Sequence, residues 1–382
     1  MRIVVFSLGP VFPGLVHGGS QRTLAAVLRH LGESGHECSV FCTRRADNSA
    51  SFALYPGVQV HPVLGFKQTY PEPYYTAVYR LRDVITTLRR ALDRADVLYV
   101  HDGELLFHFL YDTVPVVVAL QDFVYPDTLG GAFGYRRDRL VLPSPYLKAC
   151  VTAVFADFRK LEQSTVSVVP NGFDLEQLRP TDPGSAMQAL GLSGNELLIL
   201  HPHRPDPRKG LGDAITTIAL CRRYLSDAAM RRVRLAVPIW MDSALTPDSS
   251  HVYQGLYKQA EDQAVALGMP ELLIFHPWLA PSLMPSYYSL AKATLSIGSF
   301  IESFGNVAVE SELCGTPAIV SRVAAQRDIL PNELVSKVPY GRPETAAEVL
   351  ASLLLSPKQQ GTLVREYVAQ NYSMRQMVEG YA

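Results

Sequence analysis

The chain lacks most of the short signatures that announce a chemistry by themselves. No Asp-x-Asp triplet occurs, so the metal-carboxylate donor site built on that motif is not expected. No Gly-x-Gly-x-x-Gly fingerprint with a following acidic residue is present, which argues against a dinucleotide-dependent oxidoreductase. A Gly-x-Ser-x-Gly nucleophile elbow is also missing. Cys38, Cys42, Cys150, Cys221 and Cys314 are the only cysteines. Scattered without metal-ligand spacing, they read as reduced, small core residues, and no Cys/His cluster fits zinc. No metal site is expected. Charge is nearly balanced at a formal −1, so the basic excess of a nucleic-acid binder is absent. No run reaches the ~18 apolar residues of a membrane span. The opening Met1-Arg2-Ile3-Val4-Val5-Phe6-Ser7 is too short for a signal peptide and reads as a first strand. A cytoplasmic location follows as the expectation; the oligomeric state stays open.

What is present suits a two-domain α/β protein. A chain of 382 residues exceeds one ordinary core, and 48% hydrophobic against 19% charged residues favours packed domains over disorder. Strand-like and helix-like segments alternate throughout. Strand candidates in the first half are Ile3–Ser7, Glu37–Phe41, Val97–His101, Val114–Leu120, Val151–Val154 and Val166–Val169. Those in the second half are Leu197–His201, Val233–Ile239, Leu272–His276, Thr294–Ile297, Pro317–Ser321 and Leu334–Val338. Pro180, Pro183 and Gly184 mark a linker, which predicts Rossmann-like domains at 1–180 and 181–366. Between Gly9 and Ser20 lies a Gly-rich loop. Ser20 is a plausible N-cap there, Leu24, Val27, Leu28 and Leu31 recur at helical spacing, and Gly35 stops the helix. Gly18 and Gly19 would let backbone approach a diphosphate or an acceptor.

The most informative stretch is Glu302-Ser303-Phe304-Gly305-Asn306-Val307-Ala308-Val309-Glu310, continuing to Cys314-Gly315-Thr316-Pro317. A helix opening at Asn306 or Val307 would aim free N–H groups at a phosphate. Glu310 would then accept hydrogen bonds from ribose hydroxyls, and Glu302 would face a sugar across the diphosphate. This string resembles the donor-binding signature of the retaining glycosyltransferases of family four, a GT-B group. The resemblance implies a GT-B fold, two Rossmann-like domains facing a central cleft. It assigns acceptor binding to the first domain and the donor nucleotide sugar to the second, with a last helix, about 367–382, crossing back.

His203-Arg204-Pro205-Asp206-Pro207-Arg208-Lys209-Gly210 resembles the family's Gly-Arg-x4-Lys-Gly element, with His203 where Gly is usual. Arg204 and Lys209 would neutralise charge on a departing nucleoside diphosphate. By resemblance Trp278, in Phe275-His276-Pro277-Trp278-Leu279, lies near the nucleobase, and it either stacks on the base or simply packs. Asn171-Gly172 reads as architectural. At first-domain strand ends, Gln121 stands where the family usually has a His, and His101 is the alternative candidate. Asp102, Glu104, Asp122 and Asp127 would favour a cationic acceptor, beside the aromatic residues Tyr70, Tyr74, Tyr75, Tyr79, Phe123, Tyr125, Phe133 and Tyr135. The implied reaction is metal-independent hexosyl transfer, with retention, from a UDP, GDP or related sugar to a small-molecule or glycan hydroxyl. The nucleotide sugar serves as co-substrate, and no cofactor is expected. The alternative is a nucleotide-sugar-binding protein without turnover.

Overall fold

The computed structural model describes residues 1–14, 16, 18–65, 78–103, 114–123, 139–156, 165–240, 247–357 and 362–382. The chain divides into two units, Met1–Gly172 with Met374–Ala382, and Phe173–Ser373. The divide falls a few residues ahead of the Pro180 linker. Phe173 belongs to the second unit because its N–H donates to the Tyr372 carbonyl and its ring is buried there against Phe304. The last helix, Met374–Tyr381, packs within the first unit.

The first unit holds an eight-stranded sheet of β1 (Arg2–Ser7), β2 (Glu37–Thr43), β3 (Phe52–Tyr55), β4 (Val58–Leu64), β5 (Val97–His101), β6 (Val116–Ala119), β7 (Arg139–Leu142) and β8 (Val166–Val168). Its order is β3-β4-β2-β1-β5-β6-β7-β8, parallel except for β3 against β4. Because side chains alternate along a strand, β1 sends Val4 and Phe6 to one face and Ile3 and Val5 to the other. Val84, Leu88 and Leu92 of helix Val78–Leu92 cover the first face. Leu24, Val27, Leu28 and Leu31 of helix Gly19–Glu33, with Met377 and Val378 of the last helix, cover the second. Strands covered on both faces need unbroken apolar runs, and that is how β1 reads. Burying each such leucine contributes about 1.5–3 kcal/mol, and Leu28→Ala at a fully buried position would cost this layer about 2–5 kcal/mol.

Three local expectations change. Val151–Val154 lies in a helix, Pro145–Phe155. Ser144 accepts from the Leu147 N–H, Pro145 sits in the first turn, and Leu147, Val151 and Phe155 bury one stripe. Cap and four-residue spacing override β-branched propensity. Ser20 is not the N-cap: Gly18 starts that helix with φ 101°, and the Ser20 hydroxyl is used elsewhere. Strands β3, β4 and β7 add to those expected from the sequence. Pro62 inside β4 argues against a strand, yet it pairs in register with Cys42.

The second unit is a six-stranded parallel sheet of β9 (Leu197–Leu200), β10 (Val233–Pro238), β11 (Leu273–His276), β12 (Ala293–Ser296), β13 (Ala318–Ser321) and β14 (Ser336–Val338). All six predicted strands are here. Their order, β11-β10-β9-β12-β13-β14, is the doubly wound one, reversing direction between β9 and β12. In the first unit the corresponding reversal lies between β1 and β5. Crevices for ligands open at the carboxyl ends of strands at such points. Among the described residues, no helix is long and apolar enough to cross a membrane.

Candidate active site

In the second unit the two loops at the reversal carry the predicted charges. After β9 the chain passes His201 and His203 to a short 3-10 turn, Pro207–Lys209, and Gly210 then turns with φ 84° into helix Leu211–Leu220. After β12 it passes Gly298 and Phe300 to Glu302. Lys209 Nζ donates to Glu302 Oε1 at 2.5 Å, with the side chains 11% and 19% exposed. Burial pulls the Lys209 pKa below the ordinary lysine value, and the Glu302 carboxylate opposes that pull. Arg208 takes another partner. Asp206 caps the turn, accepting from the Arg208 N–H and pairing with its guanidinium at 2.8 Å. Burial works against the Asp206 charge, but the Arg208 bonds outweigh it and hold its carboxyl below the usual range.

Phe300 collects the cations. Its buried ring lies 3.5 Å from Lys209 Nζ, with the Arg208 and Arg204 guanidinium carbons 5.0 and 5.6 Å from its centre. The electron-rich ring face lets three positive groups share a small volume. Backbone contact sets the register of the loops, since the Phe300 N–H donates to the Arg208 carbonyl at 2.8 Å. Nothing in the local motifs singles out Phe300 or Gly298; strand order, which makes β12 the neighbour of β9, is the signal that finds them.

Gly305 has φ 104° and opens helix Asn306–Leu313, which has no side-chain cap. The first amides of a helix have no acceptor within the helix, so this end suits an anion. Ser303, Asn306 and Val307 lie at the turn, partly buried. Phe304 turns inward against Phe173 and Tyr372, so its ring is core and only its backbone belongs to the loop. Glu310 is buried one turn on and accepts from the Tyr288 hydroxyl at 2.8 Å. Trp278 meets Trp240 edge to face at 4.9 Å, bringing both tryptophans together beyond β10 and β11.

In the first unit a buried hydrogen-bond circuit occupies the ends of β5 and β6. His101 is fully buried, with Nδ1 2.7 Å from the Tyr99 hydroxyl and Nε2 3.0 Å from the Ser20 carbonyl. A carbonyl only accepts, so Nε2 carries the proton and Nδ1 accepts from Tyr99. Burial lowers the His101 pKa to about 4. The Ser20 hydroxyl donates to Asp102 Oδ2 at 2.7 Å, and the Gln121 N–H to Oδ1 at 3.0 Å. Gln121 Nε2 donates to the Tyr381 hydroxyl on the last helix at 3.2 Å. Asp102 adopts φ 53°, a left-handed conformation held by these bonds.

Three of the first-unit candidates sit inside this circuit. His101 has both ring nitrogens engaged inside the unit, away from solvent. Asp102 accepts from Ser20 with one oxygen and from the Gln121 N–H with the other, which ties the ends of β5 and β6 to the helix start. Gln121 is buried and faces Tyr381. Asp122 is partly exposed beside it, and Gly18 and Gly19 lie at the helix start. Asn171 accepts from Thr23 at 3.3 Å, an architectural tie. Phe123 packs on the core. Glu104, Asp127, Tyr70, Tyr74, Tyr75, Tyr125, Phe133 and Tyr135 lie outside the described residues, as does the side chain of Tyr79.

Comparison with known proteins agrees with both halves. Residues 17–177 match the family model described as Glycosyltransferase Family 4, and residues 185–368 match Glycosyl transferases group 1. A D-inositol 3-phosphate glycosyltransferase of Frankia alni is 32% identical over 204 residues, 53% of this chain and 47% of that protein. One from Acidothermus cellulolyticus is 28% identical over 333 residues, 80% of this chain and 71% of its own. The chain thus spans about half the length of the Frankia relative. Among solved structures, Anabaena HepE in complex with UDP and glucose superposes with TM-score 0.71 at 17% identity, covering 100% of this chain and 98% of that one. That likeness, with the two doubly wound sheets, makes the fold GT-B.

Proposed function

The chain belongs to the glycosyl transferases group 1 family, and from that membership we propose that it moves a hexosyl group from a nucleoside-diphosphate sugar to a hydroxyl of a small-molecule or glycan acceptor. The transfer retains anomeric configuration and uses no metal ion. The observation that carries the reading is the Lys209–Glu302 pair, with Arg204 beside it, at the carboxyl-end reversal of the second sheet.

In this reading the bond between the anomeric carbon and the β-phosphate oxygen breaks, and its electron pair leaves with the phosphate. Arg204, Lys209 and the amides after Gly305 neutralise the growing charge; one such donor is worth about 2.7–4 kcal/mol in comparable sites. Glu302 holds sugar hydroxyls, and it shares Lys209 with the diphosphate once donor is bound. Glu310, oriented by Tyr288, receives the ribose. Trp278 and Trp240 offer an aromatic edge for the base. The acceptor hydroxyl attacks the same face, forming the new bond, and its proton passes to the departing phosphate oxygen. His101, Ser20 and Asp102 position Gln121 without touching substrate.

A thermal-shift panel of UDP, GDP and ADP and their hexose esters tests the donor assignment. Ligand at 100 times its dissociation constant adds about 2.7 kcal/mol of apparent stability. UDP comes first because HepE holds it. No shift with any of them would remove the reading. Gln121, whose amide is committed to Tyr381, favours a second reading: donor binding without turnover. Release of nucleoside diphosphate in the presence of acceptor hydroxyls separates the two.

A further inference from the structure

Two imidazoles stand where the first strand of the second sheet ends. His201 and His203 flank Pro202 in a tight turn closed by the His203 N–H on the His201 carbonyl, and their rings meet edge on at 4.7 Å. The His201 N–H donates to the Ala236 carbonyl and the His203 N–H to the His201 carbonyl, which pins both backbones. His203 is only 5% exposed, yet its Nε2 has no hydrogen-bond partner among the described residues; Nδ1 of the buried His201 has none either. Buried polar atoms without partners are rare, because they forfeit a hydrogen bond to water.

The surroundings narrow what would use that nitrogen. Arg204, Arg208 and Lys209 already gather positive charge at Phe300. Burial and the nearby Lys209 ammonium keep His203 uncharged down to pH about 3. A phosphate oxygen pairs best with a further cation. An uncharged imidazole nitrogen pairs instead with a hydroxyl, and Glu302, the neighbour of Lys209, is the residue given to sugar hydroxyls above.

Resting on the proposed function, the geometry points to His203 as a specificity-determining residue that hydrogen-bonds a hydroxyl of the donor's hexosyl group through Nε2. The edge of His201 holds the ring in orientation. A glycine at this position, usual in the family resembled, offers no such contact.

The test is calorimetric titration of the full chain, of His203→Ala and of His203→Phe, with UDP, UDP-glucose, GDP and GDP-mannose as probes. Both variants are expected to bind the nucleotide sugar about tenfold more weakly while binding the nucleoside diphosphate as the parent does. His203→Phe removes the unpartnered nitrogen and keeps a ring, so it is expected to melt no lower than the parent. Equal losses for the diphosphate and its sugar overturn the assignment, since they indicate a phosphate contact or a general disturbance. Unchanged binding of both also overturns it. If the parent binds none of the four probes, the proposed function falls and this assignment falls with it.

Discussion

Gly298 and Arg208 touch so closely that a methyl group on Gly298 would sit 2.1 Å from the Arg208 carbonyl oxygen. It would also lie 2.4 Å from the Lys209 carbonyl carbon and 2.6 Å from the Gly210 nitrogen. No side chain fits between these backbones. The loop that carries Lys209 is thereby pressed onto the loop that carries Glu302, and their ion pair is a consequence of that contact.

Gly298→Ala is expected to push the two loops apart. Overpacking of this kind costs about 1–3 kcal/mol, read as a lower urea midpoint. The variant should also lose most of its thermal response to UDP. A destabilised protein that still binds UDP normally would show that the glycine packs the unit without placing Lys209.

Lys209→Met and Glu302→Gln separate charge neutralisation from sugar binding. Lys209→Met should lower kcat about 10²–10³-fold, because the leaving diphosphate loses a cation that acts mainly in the transition state. Glu302→Gln should weaken the nucleotide sugar more than the free nucleoside diphosphate. Steady-state kinetics of UDP release, with titrations of UDP and UDP-glucose, decide both. An unchanged kcat in Lys209→Met would end its proposed role.

Glu312 lends itself to an isosteric change. Burial raises its pKa to about 8, although it accepts from the Ala318 N–H at 2.8 Å. A carboxyl with a raised folded pKa contributes stability that is fully present below its unfolded value near 4.5 and is lost as pH rises through 8. Glu312→Gln keeps an acceptor for Ala318 and removes the charge. It should stabilise the second unit by up to about 4 kcal/mol at pH 8 and by nothing measurable at pH 4. Denaturation midpoints at the two pH values test the sign.

His101 works in the opposite direction. Its folded pKa of about 4 lies below the ordinary 6.5. Above pH 6.5 the ring is neutral in both states. As pH falls from 6.5 towards 4 the unfolded chain binds the extra proton, so stability is lost across that window. Between pH 7 and 5 this single group should lower first-unit stability by roughly 2 kcal/mol. His101→Gln should flatten that part of the pH–stability curve; an unaltered slope would mean that the ring protonates in place.

How much was legible depended on whether the deciding interactions were local. The second sheet could be read almost residue for residue, because each strand is a short apolar run between turn residues. Segment 151–154 could not, because a serine cap seven positions earlier outweighs valine's preference for strands. The family motifs single out Arg204, Lys209, Glu302 and Glu310 as candidates along the chain. They did not reveal that Arg208 is drawn off by Asp206, that Phe304 turns into the core, or that Phe300 gathers the cations. Gln121 stands out along the chain as a departure from the family pattern, but its partner Tyr381 lies 260 positions away.

By itself the sequence determined the alternating α/β layers, the two-domain organisation, the family and the short list of charged residues, since periodicity and motif spacing are written along the chain. Tertiary structure alone decided which of those charges meet and which histidines are shut away from water. Lys209 and Glu302 are 93 positions apart and become neighbours because β9 and β12 lie side by side in the sheet, with two glycine backbones in contact beneath them.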